Sequence, residues 1–393
     1  MYPTLYHALL DLTGLDLPFL KFLNSFGFFV ALAFLAASWT LTQELKRKAG
    51  LGLVKPTTRT ILVGAPAAPG ELISTGILGF LLGWKGGYLL LNFAEATGDP
   101  QAFLLSGKGN FIGGVLLGGY FAWKLHRDKK KEQLAEPRKE TVTVQPHEHA
   151  GNMTLTAALW GLIGAKLFHW LENPNEFMAF VQDPSGASFF SGLTMYGGLI
   201  VGGGMVIRYM VRNGIPALEG MDATAPGLML AYAVGRIGCQ VSGDGDWGVV
   251  NTSPSPGWLP GWLWSYDYPN NVNGVGVPII DGTRFEGYAT HLPEPVWPTP
   301  LYETLVCGLF FLLLWGLRKR LRPAGMVFAL YLVLNGVERF WIEKIRVNTK
   351  VWGDITQAEI ISVILFLLGL GMMLHLRKRN SENTRPDGPQ ATH

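Results

Sequence analysis

Charge is scarce in this chain, and cysteine is scarcer. Of its 393 residues, 16% are charged and 48% are hydrophobic, whereas roughly a quarter of the residues in a soluble domain carry charge. That deficit argues against the two or three soluble domains into which such a length ordinarily folds. The formal net charge is only +3, so bulk charge gives no footing for nucleic acid, and none is expected as a partner. The two cysteines, Cys239 and Cys307, both lie in apolar segments, which reads as packing rather than a disulfide and fixes no redox compartment. No basic run opens the chain and no small-residue cleavage site follows a short apolar stretch, so the first helix is expected to act as an uncleaved insertion signal. No set of metal ligands and no organic-cofactor motif is visible, so neither a metal nor a cofactor is expected.

What fills the chain instead is a row of apolar segments, each near the ~20 residues a helix needs to span a bilayer. They fall at 22–41, 72–91, 109–124, 155–171, 193–210, 225–241, 301–317, 325–341 and 360–374. The composition and these segments predict an all-α polytopic membrane protein with about nine transmembrane helices. Basic runs test the count, because short cytoplasmic loops carry excess Lys and Arg. Lys46-Arg47-Lys48, Lys129-Lys130-Lys131, Arg318-Lys319-Arg320 and Arg377-Lys378-Arg379 follow the first, third, seventh and ninth segments, and Arg208 and Arg212 close the fifth. With nine spans all of them face one side, and dropping a span would split them. The expectation is an outside N-terminus and a cytoplasmic C-terminus.

Along the chain, residues 1–123 read as N-terminal helices. Residues 124–150 read as a flexible, charged cytoplasmic linker, and 151–346 as a core with an external loop over 242–297. A last helix follows over 347–379, then a disordered cytoplasmic tail over 380–393. The external loop carries Trp247, Trp258, Trp262, Trp264 and Trp297. Tryptophan favours the membrane–water interface, so the loop reads as a cap on the outer leaflet; a crossover packed on the bundle is a compatible reading. The chain also repeats itself. Leu81-Leu82-Gly83-Trp84-Lys85 resembles Leu162-Ile163-Gly164-Ala165-Lys166, and Ile112-Gly113-Gly114-Val115 resembles Tyr196-Gly197-Gly198-Leu199. The second and third segments therefore read as a parallel copy of the fourth and fifth.

Several charges lie in or against the outer half of these segments: Lys85, Lys166, Arg236, Arg339 and Glu343. An ionisable group in a span is costly and marks a functional path, unless it sits at a helix end and snorkels to the interface. Lys85 fits either reading. Arg236 and Arg339 are arginines on the outward side, against the charge rule. Arg236 is flanked by glycines in Gly235-Arg236-Ile237-Gly238-Cys239, and the turn Ser242-Gly243-Asp244-Gly245-Asp246-Trp247-Gly248 follows it. Asn335, Arg339 and Glu343 recur at i, i+4 and i+8, on one helix face. An Arg339–Glu343 ion pair would account for those two alone but leaves Arg236 unexplained. Two arginines toward one outward cavity suit a phosphate, which the guanidinium fork matches at any working pH. In a bilayer the abundant phosphate is the lipid headgroup.

Three blocks carry a resemblance to the bacterial prolipoprotein diacylglyceryl transferase family. Met195-Tyr196-Gly197-Gly198-Leu199-Ile200 is similar to that family's His-Gly-Gly-Leu segment. Gly235-Arg236-Ile237-Gly238 through Gly248 is similar to its Gly-Arg-Ile-Gly-Asn signature with a following acid and Trp-Gly. Pro298-Thr299-Pro300-Leu301-Tyr302-Glu303, with Gly336 to Glu343, is similar to its Pro-Ser-Gln-Leu-Tyr-Glu and Gly-x-x-Arg-Phe-x-x-Glu blocks. The resemblance implies an enzyme of the bacterial inner membrane, with phosphatidylglycerol and lipobox-containing prolipoproteins as partners. It moves the diacylglyceryl group onto a cysteine thiol and releases glycerol phosphate. It further implies that Arg236 and Arg339 hold the leaving phosphate and that Asp244 and Glu343 are the family acids. Tyr196 takes the place of a histidine proposed as proton acceptor, while Lys166, Gly197, Gly198, Gly248 and Asn335 help to bind the lipid. The chain departs from the pattern at Tyr196, at Cys239 (family asparagine), at Asn335 (tyrosine) and at Trp297 (histidine). The proton acceptor is therefore open between Tyr196 and a carboxylate. A phospholipid-binding relative with lost or altered chemistry, and a secondary transporter, are the competing readings.

Overall fold

Each of the nine apolar segments coincides with a helix in the computed structural model. The structure describes residues 1–383 except Ala94, 96–102, Leu105, 183–188, 190–191, 281–284, Glu286 and Thr349. The expected tail, from 384 on, lies outside the described residues, and 380–383 continue the last helix. In chain order the helices are α1 (Leu5–Thr13), α2 (Ser25–Gly50), α3 (Pro69–Leu91), α4 (Phe111–Lys131), α5 (Ala150–Glu172), α6 (Pro174–Gln182), α7 (Met195–Arg212), α8 (Ala217–Ser242), α9 (Gly261–Trp264), α10 (Thr299–Leu317), α11 (Met326–Glu343) and α12 (Gln357–Asn383). By length and composition α2, α10 and α12 can cross a membrane, with mean hydropathies of 1.6, 1.7 and 2.2. Their outward faces are rows of exposed apolar side chains, such as Leu305, Leu309 and Leu312 on α10 and Val363, Ile364, Leu367 and Leu368 on α12. Water would penalise such stripes, and lipid would not.

The chain divides into two units. The first holds residues 1–55, 146–155 and 206–393. Here α8 is the hub, packing on α2, α10 and α11, while α11 packs on α12. Glycines set the closest approaches: a Cβ on Gly336 would come within 2.6 Å of the Ser362 carbonyl, and one on Gly238 within 2.9 Å of the Phe29 Cβ. At the end of the unit where α8 begins, polar contacts tie four helices. Glu44 takes Arg47 and, at 3.0 Å, Arg318, Lys48 pairs with Glu219, and Asp222 accepts from the Gly325 and Phe328 amides at 2.8 and 2.9 Å. The last contacts satisfy orphan amides at the start of α11. The two cysteines are free and buried, as expected.

At the other end of α8, the Trp-rich segment builds a small core of Tyr268, Leu292 and Val296, against which Met1, Trp247 and Tyr266 pack. The terminal ammonium of Met1 donates to the Pro269 carbonyl at 2.6 Å. Two-residue strands β3 (Val277–Pro278) and β4 (Thr290–His291) pair within it, while Trp258 and Trp262 stay exposed.

The second unit holds residues 56–145 and 156–205. The charged stretch expected to be a flexible linker has regular structure. Strand β2 (Arg138–Val144) pairs antiparallel with β1 (Thr57–Val63), from Thr57↔Val144 to Val63↔Arg138. Threonines and valines at alternate positions suit a pleated ladder, and α4 itself continues through the three lysines to Lys131.

Within this unit the pairs α3–α4 and α5–α7 share their contacts one for one. A Cβ on Gly83 would lie 2.2 Å from the Gly113 carbonyl, and one on Gly164 would lie 2.5 Å from the Gly197 carbonyl. The next contacts are the Cβ atoms of Leu117 and Val201, at 2.7 and 2.6 Å. Asn110 N donates to Trp84 O at 2.7 Å, and Thr194 N to Ala165 O at 3.1 Å. These are the same residue matches that the sequence repeat aligns.

Candidate active site

The Gly-Arg-Ile-Gly block lies in the last two turns of α8 and ends at Gly243, which takes a left-handed φ of 64°. The chain thereby turns back so that Asp246 meets Arg236. One Arg236 nitrogen pairs with Asp246 Oδ2, and its Nε lies 2.5 Å from Glu303 Oε2 on α10. Arg346, three residues past α11, donates to both acids: to Asp246 Oδ1 at 2.7 Å and to Glu303 Oε1 at 3.0 Å. Two guanidiniums and two carboxylates thus alternate in a closed ring. Tyr232, one turn before Arg236, donates to Glu303 Oε2 at 2.7 Å and lies under the Arg236 guanidinium, 5.2 Å from the ring centroid. Glu303 is fully buried.

Gly248 is where this arrangement is pinned to the chain after α11. It bridges to Arg346, and a Cβ there would meet the Ile345 carbonyl at 2.4 Å and the Trp297 Cβ at 2.7 Å. Gly248, expected to serve lipid binding, has a backbone role here, since only glycine lets the two segments approach. Thr299 Oγ1 donates to the Asp246 carbonyl at 2.8 Å and holds the turn on α10.

Arg339 and Glu343 do form the i,i+4 pair, at 3.2 Å. Glu343 also accepts from Thr356 at 2.8 Å and from Asn348 at 2.5 Å. Asn335 is half-buried one turn before Arg339. Asp244 is the half-buried acid of the turn, and its Oδ1 accepts from the Asp246 amide at 3.3 Å. The two turn acids are shifted in opposite directions. Burial pushes the Asp246 carboxyl up, but Arg236 and Arg346 overcome it and hold it below the usual 3.8. Burial and the adjacent Asp246 charge raise Asp244 above that value. Cys239 Sγ, at the family's asparagine position, lies 3.7 Å from Arg236 NH1 and from Asp246 Oδ2.

Among the described residues, Cys239, Asp244 and Asp246 alone bring three metal-ligand atoms within 4.8 Å of one another. Both Asp246 oxygens are taken by guanidiniums, and a cation there would face Arg236.

Lys166, Tyr196, Gly197 and Gly198 belong to the second unit. Lys166 is buried, its ammonium 5.2 Å from the Trp170 ring centroid. Gly197 and Gly198 face α5, where Cβ atoms would come within 2.4 and 2.9 Å of the Gly164 and Gly161 carbonyls. Their smallness is used for helix packing. Tyr196 is half-buried on the first turn of α7.

Sequence reasoning missed Arg346, and it read Asp246 only as part of a turn. The signal for Arg346 was present: it is another arginine just past the eighth segment, three residues past Glu343.

A family model for prolipoprotein diacylglyceryl transferase matches residues 114–375. The chain belongs to this family. Every member of the arginine–carboxylate ring, and the Arg339–Glu343 pair, falls inside the matched transferase region, while α2 and α3 precede it. The phosphatidylglycerol–prolipoprotein diacylglyceryl transferase of Leptospira interrogans serovar copenhageni is 26% identical over 290 residues, spanning 60% of this chain and 82% of the relative. Enzymes of the same name from Corynebacterium efficiens and Corynebacterium glutamicum are 32% and 30% identical over 223 and 233 residues, spanning 56% and 58% of this chain and 65% and 69% of the relatives.

Proposed function

We propose that this family member transfers the diacylglyceryl group of phosphatidylglycerol to the lipobox cysteine of prolipoproteins, with Arg236 and Arg339 as the phosphate clamp. The observation that carries the reading is the cluster of three arginines at one end of the first unit, none of them matched by a cytoplasmic charge role. In the reaction, the cysteine thiol gives up its proton and its sulfur bonds to the glyceryl carbon. The bond between that carbon and its phosphate ester oxygen breaks, and the electron pair leaves on that oxygen as glycerol phosphate. The phosphate gains a negative charge at that moment. Preformed guanidiniums stabilise developing charge without reorganising. Arg236 already bonds two carboxylates, so lipid binding on this account exchanges Asp246, the more exposed partner, for a phosphate oxygen.

The thiolate is the nucleophile, and a free cysteine ionises near pH 8.5, so a base is needed. We assign it to Asp244. Its carboxyl is raised by burial and by Asp246, which gives a proton somewhere to rest. Glu343 is occupied by Arg339, Thr356 and Asn348. Tyr196 would need a phenol shifted by several units below its usual value near 10. The protein on this reading spans the bacterial inner membrane nine times, N-terminus out, with the Trp-rich loop on the outer leaflet. The pair α3–α4 is a copy of α5–α7, as their shared glycine contacts support.

The test is rescue of a transferase-depleted bacterium, followed by mass spectrometry of a model lipoprotein. Growth with a diacylglyceryl-modified cysteine is expected. Membrane-inserted protein with no modification would favour a lipid-binding relative. Topology is checked by a cysteine introduced at Ser255, which should react with an impermeant thiol reagent in intact spheroplasts; labelling only after lysis would overturn the nine-span arrangement.

A further inference from the structure

Glu338 stands immediately before Arg339 on α11 and takes no part in the ring. It is 5% exposed, and neither carboxylate oxygen has a hydrogen-bond partner among the described residues. Its electrostatic neighbours are Glu303 and Cys307 on α10, Tyr232 and Arg236 on α8, Arg339 and Tyr331 on its own helix, and Arg346 beyond it. The three arginines and Tyr232 each engage another carboxylate. Arg236 and Arg346 bond Asp246 and Glu303, Tyr232 bonds Glu303, and Arg339 pairs with Glu343. A buried acceptor without a hydrogen-bond partner is costly, and a ligand that brings hydroxyls removes the cost.

The lipid of the proposed reaction brings them. Its phosphate is the anion the arginines attract, and its headgroup glycerol carries two hydroxyl donors a few bonds further on. We propose that Glu338 accepts hydrogen bonds from the headgroup glycerol hydroxyls of the phospholipid donor and so selects that headgroup over one without hydroxyls. The inference rests on the transferase reading, because it takes the lipid's identity from it. A headgroup ammonium would also seek a carboxylate, but here it would meet Arg236, Arg339 and Arg346 as well. A site built to receive a hydroxyl rejects the analogue lacking it, since the site's own polar group is then left unpaired.

The test compares phosphatidylglycerol with phosphatidylpropanol, which keeps the phosphate and lacks the hydroxyls. Full-length protein in nanodiscs is assayed with a lipobox peptide for kcat/KM, and binding of each lipid is measured by native mass spectrometry. Wild type should prefer phosphatidylglycerol. Glu338→Ala should lower kcat/KM and binding for phosphatidylglycerol by roughly three- to ten-fold, the size of a lost hydrogen bond, and leave phosphatidylpropanol unchanged. Glu338→Gln, which keeps the shape and one carbonyl acceptor, should retain part of the preference. An equal fall for both lipids would mean a structural role, and no change for either would mean no role; both results overturn the proposal. The binding arm reads Glu338 even if no transfer occurs, so failure of the transferase reading is separable.

Discussion

Arg346→Ala is the perturbation whose consequences follow most directly from the ring. The guanidinium makes two contacts, to Glu303 at 3.0 Å and to Asp246 at 2.7 Å. A buried charge-assisted hydrogen bond contributes about 1.5–3 kcal/mol. Glu303 is fully buried, so its contact belongs in that range. Asp246 is 37% exposed at the side chain, so its contact is discounted for solvent screening. Removing the arginine leaves two acids sharing Arg236 alone, and breaking a buried pair this way costs about 3–5 kcal/mol. It also leaves the ring net negative, which repels an anionic lipid. The expected result is a folded but less heat-stable protein in detergent, with transfer slowed by about 10²–10³ as for loss of a preorganised donor. Adding Glu303→Gln should restore the charge balance, so the double variant should be more stable than the two single losses predict. Coupling of about 0.5–3 kcal/mol is the range for residues in contact. Thermal denaturation of the four proteins and lipidation of a model lipoprotein read the cycle. Strict additivity, or near-normal transfer by Arg346→Ala, would refute the ring as a functional unit.

Arg236→Ala and Arg339→Ala should each reduce transfer by about 10²–10³ while leaving inserted protein, and lysine at either position should rescue poorly because a point charge lacks the fork; near-normal lipidation by either alanine variant would remove the clamp. If Asp244 is the base, it must be ionised to act, so rate falls as pH drops through its carboxyl value, which burial and Asp246 place above 3.8. The acid limb of kcat/KM should therefore lie above the ordinary aspartate range, and Asp244→Asn should abolish most activity; an unchanged limb in the asparagine variant assigns it elsewhere. Tyr196→Phe should keep appreciable activity, and a dead phenylalanine variant beside an active Asp244→Asn would make the tyrosine the base.

The helices were legible because each contains an apolar run, and such runs depend on neighbours in sequence. Arg236, Arg339 and Glu343 were legible for the opposite reason, being charges in or against apolar segments. The ring itself was not. It joins Arg236 to Glu303 and Arg346 across three helices, and which of two turn acids meets Arg236 depends on the left-handed Gly243. Asp244 has the motif position, yet Asp246 makes the ion pair. The pairing of Thr57–Val63 with Arg138–Val144 was hidden in the same way, because its partners lie far apart in the chain and the second strand sits in a charged stretch. Gly197 and Gly198 stood out as a motif, but the packing against Gly164 and Gly161 that uses their smallness joins residues distant in the chain.

The measurement closest to the central claim is single-component transfer. Purified protein in vesicles of phosphatidylglycerol is incubated with a lipobox peptide, and both products are followed by mass spectrometry. The account predicts a thioether-linked diacylglyceryl peptide and glycerol phosphate in equal amounts, with both lost in Arg339→Ala. Lipid bound at the site with neither product formed would contradict it.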